Sequence, residues 1–155
     1  FVAGDWAGGN LTLATLLALR DRGLSLPAGG ISISPTTDLT LASDSLKTAA
    51  DPIISARTMP FFRDDYLGTT DARDPLASPV FGDYHGIPPL LIQAGEHEML
   101  RDDSVRVAQK ALTDGVTVRL EVWPGMFHVF QSHDPLLPEA RAAIEHMAEF
   151  IRSRQ

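Results

Sequence analysis

The sequence predicts an α/β fold, a mainly parallel sheet flanked by helices, on three observations. Strand-like and helix-like segments alternate along most of the chain. One strand-like segment, Pro89–Ala94, is almost wholly apolar, as expected of a strand covered on both faces. The final segment repeats apolar residues at helical spacing, which gives a helix one buried stripe. Alternation of this kind is built as a parallel sheet with helical crossovers.

Each element has its own signal. Residues 1–4 read as the end of a strand running into a tight turn, and Ala7–Arg22 as a helix closed by Gly23. Ile31–Ser34 is a short apolar strand stopped by Pro35, and residues 36–53 read as loop. Ser55–Tyr66 reads as a helix bearing Met59, Phe61 and Phe62, followed by an irregular Pro- and Gly-containing stretch from Gly68 to Pro88. After the Pro89–Ala94 strand, Asp102, Asp103 and Ser104 offer N-cap oxygens to a helix ending near Gly115. Val116, Val118, Leu120 and Val122 alternate as a strand does. Ala140, Ala143, Ile144, Met147, Ala148 and Ile151 mark the last helix.

Composition narrows the function classes. The 155 residues carry 13 Lys plus Arg against 20 Asp plus Glu, a formal net charge of −7. Nucleic acids and anionic membranes are bound by clustered cations, so neither is an expected partner. No apolar run is long enough to span a bilayer. There is no cysteine, hence no disulfide framework, thiol chemistry or cysteine zinc site. That fits a reducing compartment, and no basic-apolar leader is visible, so a cytoplasmic location is the expectation.

The segment richest in chemistry is Val2-Ala3-Gly4-Asp5-Trp6-Ala7-Gly8-Gly9-Asn10-Leu11. Gly-x-Ser-x-Gly marks a nucleophile elbow, a sharp strand-to-helix turn that presents a serine hydroxyl. Gly4 and Gly8 hold the two glycine positions, and Trp6 stands where the serine belongs. By themselves the glycines suit a phosphate-binding turn equally well, although neither Gly-x-Gly-x-x-Gly nor Gly-Lys-Ser/Thr is present. His128, in a Pro-Gly loop after the last strand, reads by itself as a structural histidine capping the loop rather than as a general base.

The turn resembles the Gly-Asp-Ser-Ala-Gly-Gly-Asn elbow of the hormone-sensitive lipase family of esterases. Further family-like segments follow in order: Ser34-Pro35-Thr36-Thr37-Asp38-Leu39-Thr40, Asp74-Pro75-Leu76-Ala77-Ser78-Pro79-Val80-Phe81, Leu90-Leu91-Ile92-Gln93-Ala94-Gly95, and Pro124-Gly125-Met126-Phe127-His128-Val129-Phe130. The resemblance implies an α/β-hydrolase fold, here as the C-terminal half of one catalytic domain (residues 1–155) with part of a cap. It also implies hydrolysis of short-chain esters without a cofactor, by nucleophile, acid and histidine in that chain order. On this reading His128 is the base. Glu98 is the acid, because Glu98-Met99-Leu100-Arg101-Asp102 is similar to the family's Asp-Pro-Leu-Arg-Asp.

Of the competing carboxylates, Glu96 reads as solvated and Asp102 and Asp103 as helix caps. His97 reads as a local hydrogen-bond partner and His146 as a solvated helix residue, while His85 and His133 lack context. Glu96, His97, Glu98 and Asp102 match no zinc spacing, so no metal is expected. The resemblance makes the Ala7 N–H an oxyanion donor, with Gly8 as neighbour. The other donors would come from a His-Gly-Gly-Gly loop that is not in this sequence, which makes the chain's own N-terminal half an expected partner. Thr36, Phe127, Val129 and Phe130 are expected around an ester substrate. Phe61, Phe62 and Tyr66 are expected on a covering helix, and the C-terminal strand–helix edge as a homodimer surface by analogy. Indole offers no nucleophile, so this version is expected to be inactive. Either a Ser→Trp replacement was introduced, or the chain is a natural pseudo-enzyme that binds small molecules. The retained His128, acid loop and glycine elbow favour the first.

Overall fold

The computed structural model describes residues 1–154. Four strands, β1 (Val2–Asp5), β2 (Gly30–Ile33), β3 (Leu90–Gly95) and β4 (Val118–Trp123), form one sheet in sequential order. Every neighbouring pair is parallel, as the alternating pattern predicts. The helices are α1 (Ala7–Asp21), α2 (Ser45–Thr48), α3 (Met59–Leu67), α4 (Arg101–Thr113) and α5 (Pro138–Arg152), with short 3₁₀ turns at Pro79–Phe81 and Phe130–His133.

β3 shows why its sequence is a continuous apolar run. Leu90 and Ile92 pack on one face against Leu13, Leu16 and Leu17 of α1 and Val107, Ala108 and Ala111 of α4. Leu91 points to the other face, against Ile31, Phe150 and Met147. Alternate residues of one strand thus serve two cores, each fully buried aliphatic side chain contributing about 1.5–3 kcal/mol. β4 has a neighbour on one side only, and Val122 at its outer end is exposed.

Several elements depart from expectation. The helix predicted from Ser55 begins at Met59, with Pro60 in its first turn. Proline is accommodated there because the first N–H groups of a helix have no intrahelical acceptor. The loop predicted over 36–53 contains the single turn α2. Asp102 and Asp103 are not N-caps: Leu100 holds that position and no side chain caps the helix. Both carboxylates lie in the first turn of α4 and reach sideways. Asp103 Oδ2 accepts the Thr37 and Asp38 N–H groups at 2.8 and 3.0 Å, and Asp102 Oδ2 accepts that of Ser45 at 2.9 Å. They tie the long loop after β2 to α4, while still setting negative charge at the helix's positive end.

The turn from β1 into α1 depends on close approach. A Cβ on Gly4 would lie 2.9 Å from Gly8 Cα and nearer still to the Gly8 carbonyl. A Cβ on Gly9 would lie 3.0 Å from both Pro35 Cβ and Ser32 Oγ. Gly4→Ala is expected to destabilise the protein by about 2–3 kcal/mol, since a backbone contact cannot rotate away. Gly8→Ala, whose Cβ meets nothing within 4 Å, is the control. Equal urea midpoints for the two variants would contradict this packing account.

Candidate active site

Parallel strands bring their C-terminal ends to one edge of the sheet, and there the four chain reversals meet. Trp6 follows β1, Ser34 follows β2, Glu98 follows β3 and His128 follows β4. Adjacency of the strands therefore makes neighbours of residues far apart in the chain.

Trp6 adopts φ 48° and ψ −113°, a backbone conformation nearly closed to L-residues and costing about 1–3 kcal/mol. Its N–H donates to the Ile33 carbonyl at 2.9 Å, and its own carbonyl accepts the Asn10 N–H at 3.1 Å. The indole packs among Leu46, Met59 and Leu100, and meets Phe62 edge-on at 5.4 Å. The ring is half-buried, so its packing stabilises this turn by less than full burial of an aromatic side chain would. The ring also stands edge-on to the His128 imidazole, centroids 5.7 Å apart. Ala7 opens α1, so the first N–H groups of that helix emerge at the site without intrahelical acceptors.

His128 is 3% exposed and Glu98 fully buried. Their closest approach is 3.9 Å, from Nδ1 to Oε2, beyond hydrogen-bond length. Neither ring nitrogen of His128, nor Glu98 Oε1, has a hydrogen-bond partner among the described residues. Burial lowers the imidazole's pKa, with the Asp51 and Asp5 carboxylates pulling the other way. Burial therefore favours the neutral ring, the form a general base must have. Burial raises the Glu98 carboxyl to about 7, opposed by hydrogen bonds from Ser34 and Gly95 and reinforced by Asp51 and Asp103.

That shift carries a stability consequence. Glu98 holds its proton to a higher pH when folded, about 7, than its ordinary 4.5. The folded protein thus binds more protons between those values, and its stability falls as pH rises through them. Glu98→Gln has no such proton. Relative to the parent it is expected to gain stability on going from about pH 5 to about pH 8. Urea unfolding at both values checks this, and a parallel pH dependence in the two proteins would contradict it.

The other expected site residues scatter. Beside Trp6 a cavity of about 300 Å³ opens, lined by Ala7, Thr36, Leu39, Met59, Phe62 and Tyr66 among others. Phe127 and Val129 do not line it. Phe127 borders a separate hollow with Ala50, Pro52 and His97. Phe130 is corrected outright: it is fully buried against Ala140, Ala143 and Trp123, where α5 covers the sheet. On α3, Phe61 is 71% exposed, whereas Phe62 and Tyr66 border the cavity.

Glu96, His97, Glu98 and Asp102 have separate partners. Glu96 accepts the Gly125 N–H at 2.9 Å, and the exposed His97 ring lies 3.9 Å from Glu96. His146 is not simply solvated, since its Nδ1 lies 2.9 Å from Glu121 Oε1. His85 pairs with Asp83 on the surface, and the His133 ring meets Phe127 edge-on.

Three contributors were missed from sequence. Ser34 donates to Glu98 Oε2 at 2.7 Å. Asp51 accepts the Met99 N–H at 3.1 Å and so fastens the acid loop. Gln93 Oε1 accepts Gln131 Nε2 at 3.0 Å, tying β3 to the turn after His128. The available signals were a serine ending a strand and a buried glutamine within an apolar run.

Comparison with known proteins bears on the fold. A family model described as alpha/beta hydrolase fold matches residues 1–132. The chain is 46% identical over 154 residues to an acetyl-hydrolase of Streptomyces hygroscopicus, a match taking in 98% of this chain and 52% of the relative. An esterase/lipase from an uncultured bacterium superposes with a TM-score of 0.94 at 45% identity, over 98% of this chain and 52% of that one. A hormone-sensitive lipase from a metagenome library gives 0.95 at 39% identity, over 99% and 53% respectively. The chain therefore spans about half the length of these relatives. Among the described residues, no helix is long and apolar enough to cross a membrane.

Proposed function

The chain belongs to the alpha/beta hydrolase fold family, with esterases and a hormone-sensitive lipase among its relatives, and from that premise we propose that it is the C-terminal portion of a short-chain carboxylic ester hydrolase whose nucleophile position is held by Trp6. One observation carries the reading. At the β1–α1 turn, residue 6 takes the strained φ 48°, ψ −113° conformation of an elbow that projects a side chain toward His128. A tryptophan gains nothing chemical from that posture; a serine hydroxyl would be aimed at an imidazole.

The roles follow from the groups. With a hydroxyl at residue 6, neutral His128 takes its proton as the oxygen attacks the ester carbonyl, then returns it to the departing alcohol. Glu98, whose Oε2 lies 3.9 Å from Nδ1, closes to hydrogen-bond length as the ring gains its proton and stabilises the imidazolium, whose charge draws the carboxyl back to its ionised form. The Ala7 N–H, at the positive end of α1, supports the developing oxyanion. Thr36 stands at the cavity beside the elbow, and the remaining oxyanion donors belong to a segment outside this chain. Water then repeats the cycle on the acyl-enzyme.

Trp6 stops the first of these steps by supplying no nucleophile, and its indole fills space beside the base. The test is the variant Trp6→Ser, in a chain completed to the length of its relatives, assayed on short-chain aryl esters. Hydrolysis above the parent's background supports the reading. A folded variant without activity across a broad ester panel overturns it.

A further inference from the structure

Ser34 immediately follows β2, fully buried between the loops that carry Glu98 and His128. Its Oγ lies 2.7 Å from Glu98 Oε2 and 3.2 Å from the Val129 nitrogen. Chemistry sets the direction of both bonds. A backbone N–H can only donate, so Val129 gives its proton to the Ser34 oxygen. The hydroxyl's single proton is then free for Glu98 Oε2, and an ionised carboxylate can only accept. That same Oε2 accepts the Gly95 N–H at 3.1 Å and is the oxygen nearest His128 Nδ1, at 3.9 Å.

The backbone is shaped to make this bridge. Ser34 has φ 45° and Val129 φ 50°, both in the left-handed region that most residues avoid. The Ser34 N–H donates to the Gln93 carbonyl at 2.7 Å, so the residue is anchored to β3 as well. One hydroxyl thus joins the carboxylate to the residue that follows the imidazole.

We propose that Ser34 is a positioning residue, whose hydroxyl holds the Glu98 carboxylate and the His128 loop in a single geometry. It acts on the base through the acid and through the Val129 amide, without touching substrate. The geometric claim stands without turnover; only its kinetic arm rests on the ester-hydrolase reading. The charged or titratable groups that bear on Glu98 are Asp51 in the loop before α3, Asp103 on α4 and the His128 ring. Asp5 acts on His128 as well.

The first variant is Ser34→Gly, which removes the hydroxyl while suiting the positive φ, so folding is retained; Ser34→Ala is the second. In ¹³C,¹⁵N-labelled protein the Glu98 carboxyl titration is expected to move up by about one pH unit. The Val129 amide is expected to exchange at least about tenfold faster. Ser32→Ala deletes another buried β2 hydroxyl, one that donates to the Gly9 carbonyl at 3.0 Å, and is expected to change neither readout. In the Trp6→Ser background, Ser34→Gly is expected to lower kcat about tenfold at unchanged KM. A folded Ser34→Gly protein with the parent's Glu98 midpoint and Val129 exchange overturns the proposal. Hydrolysis by Trp6→Ser that Ser34→Gly leaves untouched does the same, with the esterase reading intact. A shifted Glu98 in Ser34→Gly, beside an inactive Trp6→Ser protein, sinks the esterase reading alone.

Discussion

Trp6→Ser, in a chain completed to the length of its relatives, is expected to raise kcat for a short-chain ester by on the order of 10⁵–10⁶ over the parent. Removing the nucleophile of a comparable serine hydrolase costs that much, and the substitution runs the same step in reverse. The gain depends on the rest of the site being in place. His128 is buried in surroundings that favour its neutral form, Glu98 lies 3.9 Å from it, and the residue 6 backbone takes φ 48° and ψ −113°. Loss of the half-buried indole removes its packing against Leu46, Met59 and Leu100. The variant is therefore expected to be less stable than the parent while becoming active. A gain in activity accompanied by a fall in the urea midpoint is the joint signature.

In that active background, His128→Ala is expected to return kcat nearly to the parent's level, a loss on the order of 10⁵–10⁶. Glu98→Gln is expected to cost about 10⁴, because an amide can hold the ring in the wrong tautomer and cannot stabilise the imidazolium. The double variant is expected to be no slower than His128→Ala alone, since groups that act as a unit do not add. Michaelis–Menten constants for the four proteins check this. Additive losses would mean that Glu98 and His128 act separately. An unaffected Glu98→Gln would remove Glu98 from the acid position and turn attention to Asp51, whose charge also acts on His128.

Much of the fold was legible because its signals are local. Parallel pairing follows from alternating elements, and the apolar run at Pro89–Ala94 reports burial on both faces of β3. The tight β1–α1 turn was legible for the same reason, since Gly4 is needed where the Gly8 backbone comes within a Cβ's reach. Local reasoning failed where a side chain's partner lies elsewhere. Asp102 and Asp103 have the composition of caps, yet the amides of Thr37, Asp38 and Ser45 compete for their oxygens and win. Phe130 follows His128 closely enough to suggest a pocket, but the 3₁₀ turn at Phe130–His133 directs it under α5. Ser34 looked like the end of a strand. Its importance arises only when β2, β3 and β4 align and three loops converge on one hydroxyl.

The site itself divides along the same line. His128 and Glu98 were named through resemblance, and the structure brings them to 3.9 Å of one another. A covering helix bearing Phe62 was expected, and its ring meets Trp6 edge-on at 5.4 Å although the two residues lie more than fifty positions apart in the chain. This contact gives α3 a role in covering residue 6, and it explains how a bulky ring is tolerated at a turn shaped for a small one.

The most direct test is covalent. An alkyl phosphonate ester that reacts with activated serine is incubated with the parent and with Trp6→Ser, and the digested proteins are weighed by mass spectrometry. The account predicts a phosphonyl adduct on the peptide carrying residue 6 in Trp6→Ser, its loss in the Trp6→Ser, His128→Ala double variant, and no adduct on the parent. A folded Trp6→Ser protein that stays unlabelled, or is labelled at another residue, would contradict it.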